Sequence, residues 1–161
     1  MARTFVITAD GGSRGNPGES AYGAVVYEGS HVVAELSGRL GVTTNNVAEY
    51  RGLIAGLKAA HDIDPHSQIT VRMDSKLVVE QMSGNWKIRH PEMQKLAMEA
   101  KNIHPHHLLR FEWIPRESNT HADRLVNEAL DGMIVATEGP MRRNYLTCLL
   151  YTSPSPRDAT L

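Results

Sequence analysis

Four acidic residues in this chain stand where carboxylates can be gathered: Asp10, Glu49, Asp74 and Asp123. Asp10 ends an apolar run (Phe5, Val6, Ile7), and a glycine-rich stretch follows at once, Gly11-Gly12-Ser13-Arg14-Gly15-Asn16-Pro17-Gly18. Asp74 ends a second run, QITVRMD. Glu49 and Asp123 fall near the starts of segments with helical periodicity. Four carboxylates at one edge repel, and their pKa values rise unless cations neutralise them. Oxygen-only ligands favour hard cations such as Mg²⁺ or Mn²⁺. Two such ions about 4 Å apart suit phosphodiester cleavage, one activating water and the other stabilising the leaving oxygen. Each acid taken singly has an ordinary explanation. Glu49 and Asp123 would complement a helix macrodipole, and Asp74 could cap the helix after it. Asp10 resists this reading, because no helix follows it.

The elements that must position these acids can be read in order. Residues 3–10 form a strand with Phe5, Ile7 and Ala9 on one face and Val6, Thr8 and Asp10 on the other. Apolar residues on both faces mark a central, covered strand. The glycine-rich segment is then expected to be a loop that lets another molecule approach the main chain. Residues 20–28 and 31–40 are two further strands around a Gly29-Ser30 turn, giving an antiparallel meander. Thr43-Thr44-Asn45-Asn46 caps a helix with Val47, Tyr50, Leu53, Ile54, Leu57 and Ala60 inward and Glu49 in its first turn. That helix ends before Asp64-Pro65. Residues 68–74 are a strand, 75–82 a short helix stopped by Ser83-Gly84, and 91–103 a helix with Met93, Leu96, Ala97 and Ala100 inward. Residues 108–114 are the fifth strand. Ser118 or Asn119 caps a last helix to about Val135, with Ala122, Leu125, Val126, Ala129, Leu130 and Met133 apolar and Asp123 in its first or second turn. The order is βββ-α-β-α-α-β-α.

The 161 residues suit one domain of ordinary composition, 41% hydrophobic and 22% charged. A net charge of −1 gives no strong basic field, which is mild evidence against nucleic-acid binding. No apolar run is long enough to span a bilayer, and the N-terminus does not read as a signal peptide. The single cysteine, Cys148, excludes an intrachain disulfide framework. A cytoplasmic monomer is expected. The residues after Gly139 lack amphipathic period and include Ser153-Pro154-Ser155-Pro156. The division is therefore a domain over 1–139 and a non-native or disordered tail over 140–161.

The motifs ADGGSRGNPG (9–18), TNNVAEYRGL (44–53), MDSKLVVEQMSG (73–84) and NTHADRLVNEAL (119–130) arrive in the order and spacing of a known family. Over about residues 2–138 the chain resembles type I ribonuclease H. It is most similar to the N-terminal ribonuclease H domain that actinobacteria fuse to an acid-phosphatase-like domain, whose partner would begin about where the tail begins. The resemblance implies a ribonuclease H-like α/β fold: a five-stranded mixed sheet, its first three strands antiparallel, with helices on both faces. It implies hydrolysis of the RNA strand of an RNA–DNA hybrid, leaving 5′-phosphate and 3′-hydroxyl ends. By the same resemblance Asp10 bridges two metals, and Asp123 helps hold the one that activates water. Glu49 and Asp74 hold the other, and Glu49 can also accept from a ribose 2′-OH. The main chain of Gly11, Gly12 and Ser13, with Asn16, Asn45 and Asn46, matches hybrid-contacting positions, and Thr44 matches a DNA-phosphate position.

The chain also departs from the family. Val42 stands where an arginine often supports the phosphate position. Residues 73–91 are too short for the extra helix and basic loop of many members. Trp86, Lys87, Arg89 and His90 are what remains of that surface, and Trp86 and Lys87 are assigned to the DNA strand, with a packed Trp beside solvated charges as the alternative. The family's mobile histidine is absent, and Arg116-Glu117 falls in its place. Glu117 is the candidate for proton transfer or product release, with Arg116 as the alternative. His121 is expected at the surface, and His104, His106 and His107 in a solvated loop rather than a zinc site. Met93 and Met98 read as core or ordinary surface. Competing readings are a related metal nuclease acting on DNA, which would lack the Gly-Gly-Ser, Asn-Pro-Gly and Asn-Asn residues that read ribose, and a non-catalytic hybrid-binding domain, which the presence of all four acids disfavours.

Overall fold

Five strands in the order β3-β2-β1-β4-β5 form one sheet, in a computed structural model that describes residues 3–132. Met133, Val135, the boundary at Gly139 and the tail with Cys148 lie outside the described residues. β1 (Thr4–Arg14), β2 (Gly18–Glu28) and β3 (His31–Thr43) are the antiparallel meander, and β4 (Gln68–Met73) and β5 (Leu109–Trp113) add parallel strands beyond β1. α1 (Asn45–Ile63), α2 (Lys76–Met82), α3 (Pro91–Lys101) and α4 (Thr120–Leu130) complete the expected order.

The alternation of β1 explains its central place. Phe5, Ile7 and Ala9 are fully buried in a core shared with Tyr50, Leu53 and Leu57 of α1 and Ile69, Val71 and Met73 of β4. Each large side chain removed from water there contributes about 1.5–3 kcal/mol before the entropy of ordering is counted. α4 covers the other face, where Val126 and Ala129 pack on Ala21 of β2. The two helical layers fix what Asp10 can meet, since α1 and α4 approach β1 from opposite sides.

Several element ends differ from expectation. β1 does not stop at Asp10. It continues to Arg14 and stays paired with β2, Gly11 opposite Tyr22 and Arg14 opposite Glu19. What ends near Asp10 is the pairing with β4, whose last partners are Ala9 and Met73. Gly11 and Gly12 therefore belong to a strand, not a loop, because β2 pairs with it as far as Arg14, and only residues 15–17 form the turn. β3 likewise runs to Thr43. Thr44 caps α1, its Oγ1 accepting from the Val47 amide at 3.3 Å, so Glu49 falls in the second turn rather than the first. α3 ends at Lys101, and α4 ends at Leu130, well before Val135, with Gly132 just beyond at φ 76°. Such a left-handed glycine after a helix is a common stop.

Candidate active site

Asp10, Glu49 and Asp74 converge where β4 parts from β1. One carboxylate oxygen from each lies within 4.8 Å of the other two. Two glycines make this approach possible. A Cβ on Gly11 would sit 2.1 Å from the Ala48 carbonyl carbon, and one on Gly52 would sit 2.6 Å from the Asp10 carbonyl oxygen. Without side chains at those positions α1 lies against the β1 backbone, and Glu49 reaches Asp10 from the opposite layer to α4.

Asp74 follows the last residue of β4. It is not the cap of α2, because Ser75 takes that role and accepts from the Val78 amide at 3.3 Å. The capping explanation for Asp74 is thereby removed. The Ser75 hydroxyl also lies close enough to the Glu49 carboxylate to favour its charged form. Trp113 of β5 donates its indole N–H to the Asp74 carbonyl at 3.2 Å, which fixes the main chain at that acid. Asp123 falls in the first turn of α4. It stands outside the three-acid group but close enough to act on Asp10 and Asp74 by charge, and its carboxylate accepts from Asn127 Nδ2 at 3.4 Å.

These surroundings disfavour ionisation. Burial first, then the charge of Asp74, pushes Asp10 up to about 8, with Asp123 and Glu49 adding to the effect and the Gly11 amide opposing it. Burial pushes Glu49 up to about 7, with Asp74 adding and the Ser75 hydroxyl and Arg116 opposing. Asp74 is raised by burial and Asp123, against Arg116, its own amide and the Asn119 side chain. Crowded acids held at the edge of neutrality are a site that gains from a cation. An all-carboxylate set fits a hard divalent ion and not a soft one.

The other candidate residues divide into two regions. Asn16 Oδ1 accepts from the Asn45 amide at 3.2 Å, so the turn after β1 is tied to the first turn of α1. Ser13 Oγ lies against the carbonyls of Gly15 and Thr43. Gly11, Gly12, Ser13, Asn16, Thr44, Asn45 and Asn46 thus belong to one continuous surface beside Asp10. Trp86 and Lys87 are on the separate stretch between α2 and α3. Trp86 is 46% exposed, so about half of it faces solvent. Arg116 and Glu117 lie in a short 3-10 turn before α4, both exposed. The charge of Arg116 reaches Glu49 and Asp74.

Two histidines differ from expectation. His104 is buried, not solvated. Its Nδ1 meets His61 Nδ1 at 3.0 Å and its Nε2 meets the Ser67 carbonyl at 2.7 Å, because the chain turns inward after α3. His106 and His107 are exposed. His121 is held between Tyr27 of β2 (3.1 Å to the hydroxyl) and Glu35 of β3, since that face of α4 lies over the meander. Sequence reasoning also passed over Ser75, Trp113 and the side chain of Asn119. Ser75 could have been found as the only cap-forming residue directly after a candidate ligand.

A mixed sheet that carries a carboxylate cluster at the parting of its antiparallel and parallel halves defines the class of ribonuclease H-like proteins. Residues 8–129 match the family model described as reverse transcriptase-like. The chain is 51% identical over 150 residues to the bifunctional protein Rv2228c of Mycobacterium tuberculosis, covering 84% of this chain and 41% of that relative. The chain therefore spans about two fifths of the length of that curated relative. Among solved structures, the N-terminal RNase H domain of the same mycobacterial protein is 50% identical with a TM-score of 0.76, covering 83% of this chain and 98% of that one. LC11-RNase H1 in complex with an RNA/DNA hybrid is 37% identical with a TM-score of 0.75, covering 81% and 99%. The chain belongs to the type I ribonuclease H family.

Proposed function

We propose that this domain hydrolyses the RNA strand of RNA–DNA hybrids by a two-metal mechanism, leaving 5′-phosphate and 3′-hydroxyl ends. The observation that carries this reading is the convergence of Asp10, Glu49 and Asp74 oxygens within 4.8 Å, with Asp123 near enough to act on Asp10 and Asp74 by charge. Two Mg²⁺ ions, or Mn²⁺ as a substitute, would be held by these four acids, Asp10 being shared. When bound, such ions supply an ionised water and neutralise charge on the leaving oxygen.

The chain's own residues do the rest. Asp10 and Glu49 must release their protons to bind, so the cluster is poised to load near neutral pH. The backbone of Gly11, Gly12 and Ser13, with Asn16, Asn45 and Asn46, forms a surface of amide donors and acceptors suited to ribose 2′-hydroxyls in a shallow minor groove. Thr44 would take a DNA phosphate, and Trp86 and Lys87 the DNA strand farther out. Glu117 is the candidate to pass protons or release product, and Arg116 competes for that place through its charge on Glu49 and Asp74. The proposed working form is a cytoplasmic monomer. Among the described residues no helix is long and apolar enough to cross a membrane.

The test compares matched RNA–DNA, RNA–RNA and DNA–DNA duplexes with Mg²⁺ and purified, folded protein. Cutting of the RNA strand in the hybrid alone is expected. Equal cutting of DNA–DNA, or an intact hybrid, would sink the proposal.

A further inference from the structure

Asn119 occupies the N-cap position of α4 but makes no capping bond with its side chain. It is 1% exposed. Its Nδ2 donates instead to the carbonyl of Ala9 at 2.9 Å, at the last residue of β1 that pairs with β4. The same side chain lies close enough to the Asp74 carboxylate to favour its charged form. An amide nitrogen carries two protons, so Nδ2 keeps one besides the one given to Ala9. Its Oδ1 is buried with no hydrogen-bond partner. A helix cap foregoes its usual stabilisation here, and a buried amide oxygen is left unpaired. Both facts imply that the side chain is held for another purpose.

We propose that Asn119 is a positioning residue for the acidic cluster: its amide ties the main chain beside Asp10 to the start of α4 and so sets the spacing of Asp10 and Asp123, two proposed metal ligands. The reasoning is geometric. Asp10 belongs to β1 and Asp74 to the turn after β4, and strand pairing between them ends one residue before each acid. Beyond that point mutual repulsion would spread the two carboxylates. The Asn119 side chain reaches the end of that pairing from a third element, α4, which also carries Asp123. One residue therefore links the strand bearing Asp10 to the helix bearing Asp123. Partners of this kind, which orient ligands without binding metal, typically alter metal affinity by about 10–100-fold when removed.

The inference rests on the metal reading of the site, and the experiment separates the two. Mg²⁺ binding to the full chain is measured by calorimetry for the parent, Asp10→Asn, Asn119→Ala, Asn119→Ser and Tyr27→Phe, with thermal unfolding in chelator and kinetics on a hybrid. Tyr27→Phe loosens α4 through His121 without touching the acids. The expected result is about tenfold weaker Mg²⁺ binding in Asn119→Ala. Its kcat falls by a similar factor while KM for the hybrid changes less than about twofold. Asn119→Ser, which keeps one donor, should fall between, and remains informative if the alanine variant does not fold. Tyr27→Phe should lower Tm yet bind Mg²⁺ within about twofold of the parent. A parent that binds no Mg²⁺, or binds it as well after Asp10→Asn, overturns the metal reading and this inference with it. A parent that binds while the folded Asn119 variants match it, or Tyr27→Phe weakening binding equally, overturns the inference alone.

Discussion

At the scale of single residues, the raised acids make two outcomes predictable. Asp10→Asn removes the proposed shared ligand without changing shape, so turnover should fall at least about 10³-fold while hybrid binding in a gel-shift assay persists; retention of full activity would show the site is misassigned. The second outcome concerns pH. Asp10, raised to about 8, and Glu49, raised to about 7, hold protons in the folded, metal-free protein that the unfolded chain gives up near pH 4. Folding therefore takes up protons between about pH 4 and 8, and stability in chelator must fall as pH rises through that window. Mg²⁺ binding should run the other way, tightening with pH as each displaced proton becomes cheaper to remove. Urea unfolding in chelator at pH 5 and pH 8 checks the first slope, and a rise in stability with pH would contradict it. The Arg116 and Glu117 question is also settled by single changes. Glu117→Ala should slow turnover at saturating hybrid if Glu117 transfers protons, and unchanged turnover returns the role to Arg116 or to neither.

At the scale of elements, the site depends on how closely α1 lies on β1. Gly11 illustrates this better than any ligand. Its missing Cβ is what admits the Ala48 backbone. Gly11→Ala should destabilise the fold by about 1–3 kcal/mol through overpacking, read by urea unfolding. It should also lower activity beyond the loss of folded protein, because Glu49 is carried one residue from the contact. Wild-type stability in that variant would mean α1 can shift freely and the close approach is not required. The α4 layer is held differently, by polar ties at its first turn: Asn119 to Ala9 and His121 to Tyr27 and Glu35. A helix with so few buried apolar residues gains its exact placement from such bonds rather than from area alone.

At the scale of the whole molecule, the boundary near residue 139 can be tested directly. The family match ends at residue 129 and α4 ends at Leu130, so the proposed domain closes soon afterwards. A protein of residues 1–139 should retain turnover within about twofold of the full chain and unfold as one cooperative transition. A collapse of its Tm would show that the proposed tail belongs to the fold. The charge balance also changes meaning at this scale. A net charge of −1 argued mildly against nucleic acid, yet Lys87 and Arg89 stand exposed near each other on the stretch between α2 and α3. Distribution rather than total decides how a polyanion is met.

The sequence by itself determined the element order and the inward faces of α1, α3 and β1, and it singled out four acids, of which the structure groups Asp10, Glu49 and Asp74. Each of these is written in local periodicity or residue type, which the chain enforces before it folds. It could not determine where β1 ends, because Gly11 to Arg14 looks like a loop until β2 is seen to pair with every residue of it. Nor could it show that Asn119 leaves its cap, that His104 is buried, or that His121 is held against the meander. Those outcomes depend on partners 30 or more residues away, and only packing chooses among them. Tertiary structure also decided the central point: opposite layers bring Glu49 and Asp123 toward the one place where β1 and β4 part. There burial and mutual repulsion turn ordinary carboxylates into the proposed cation site.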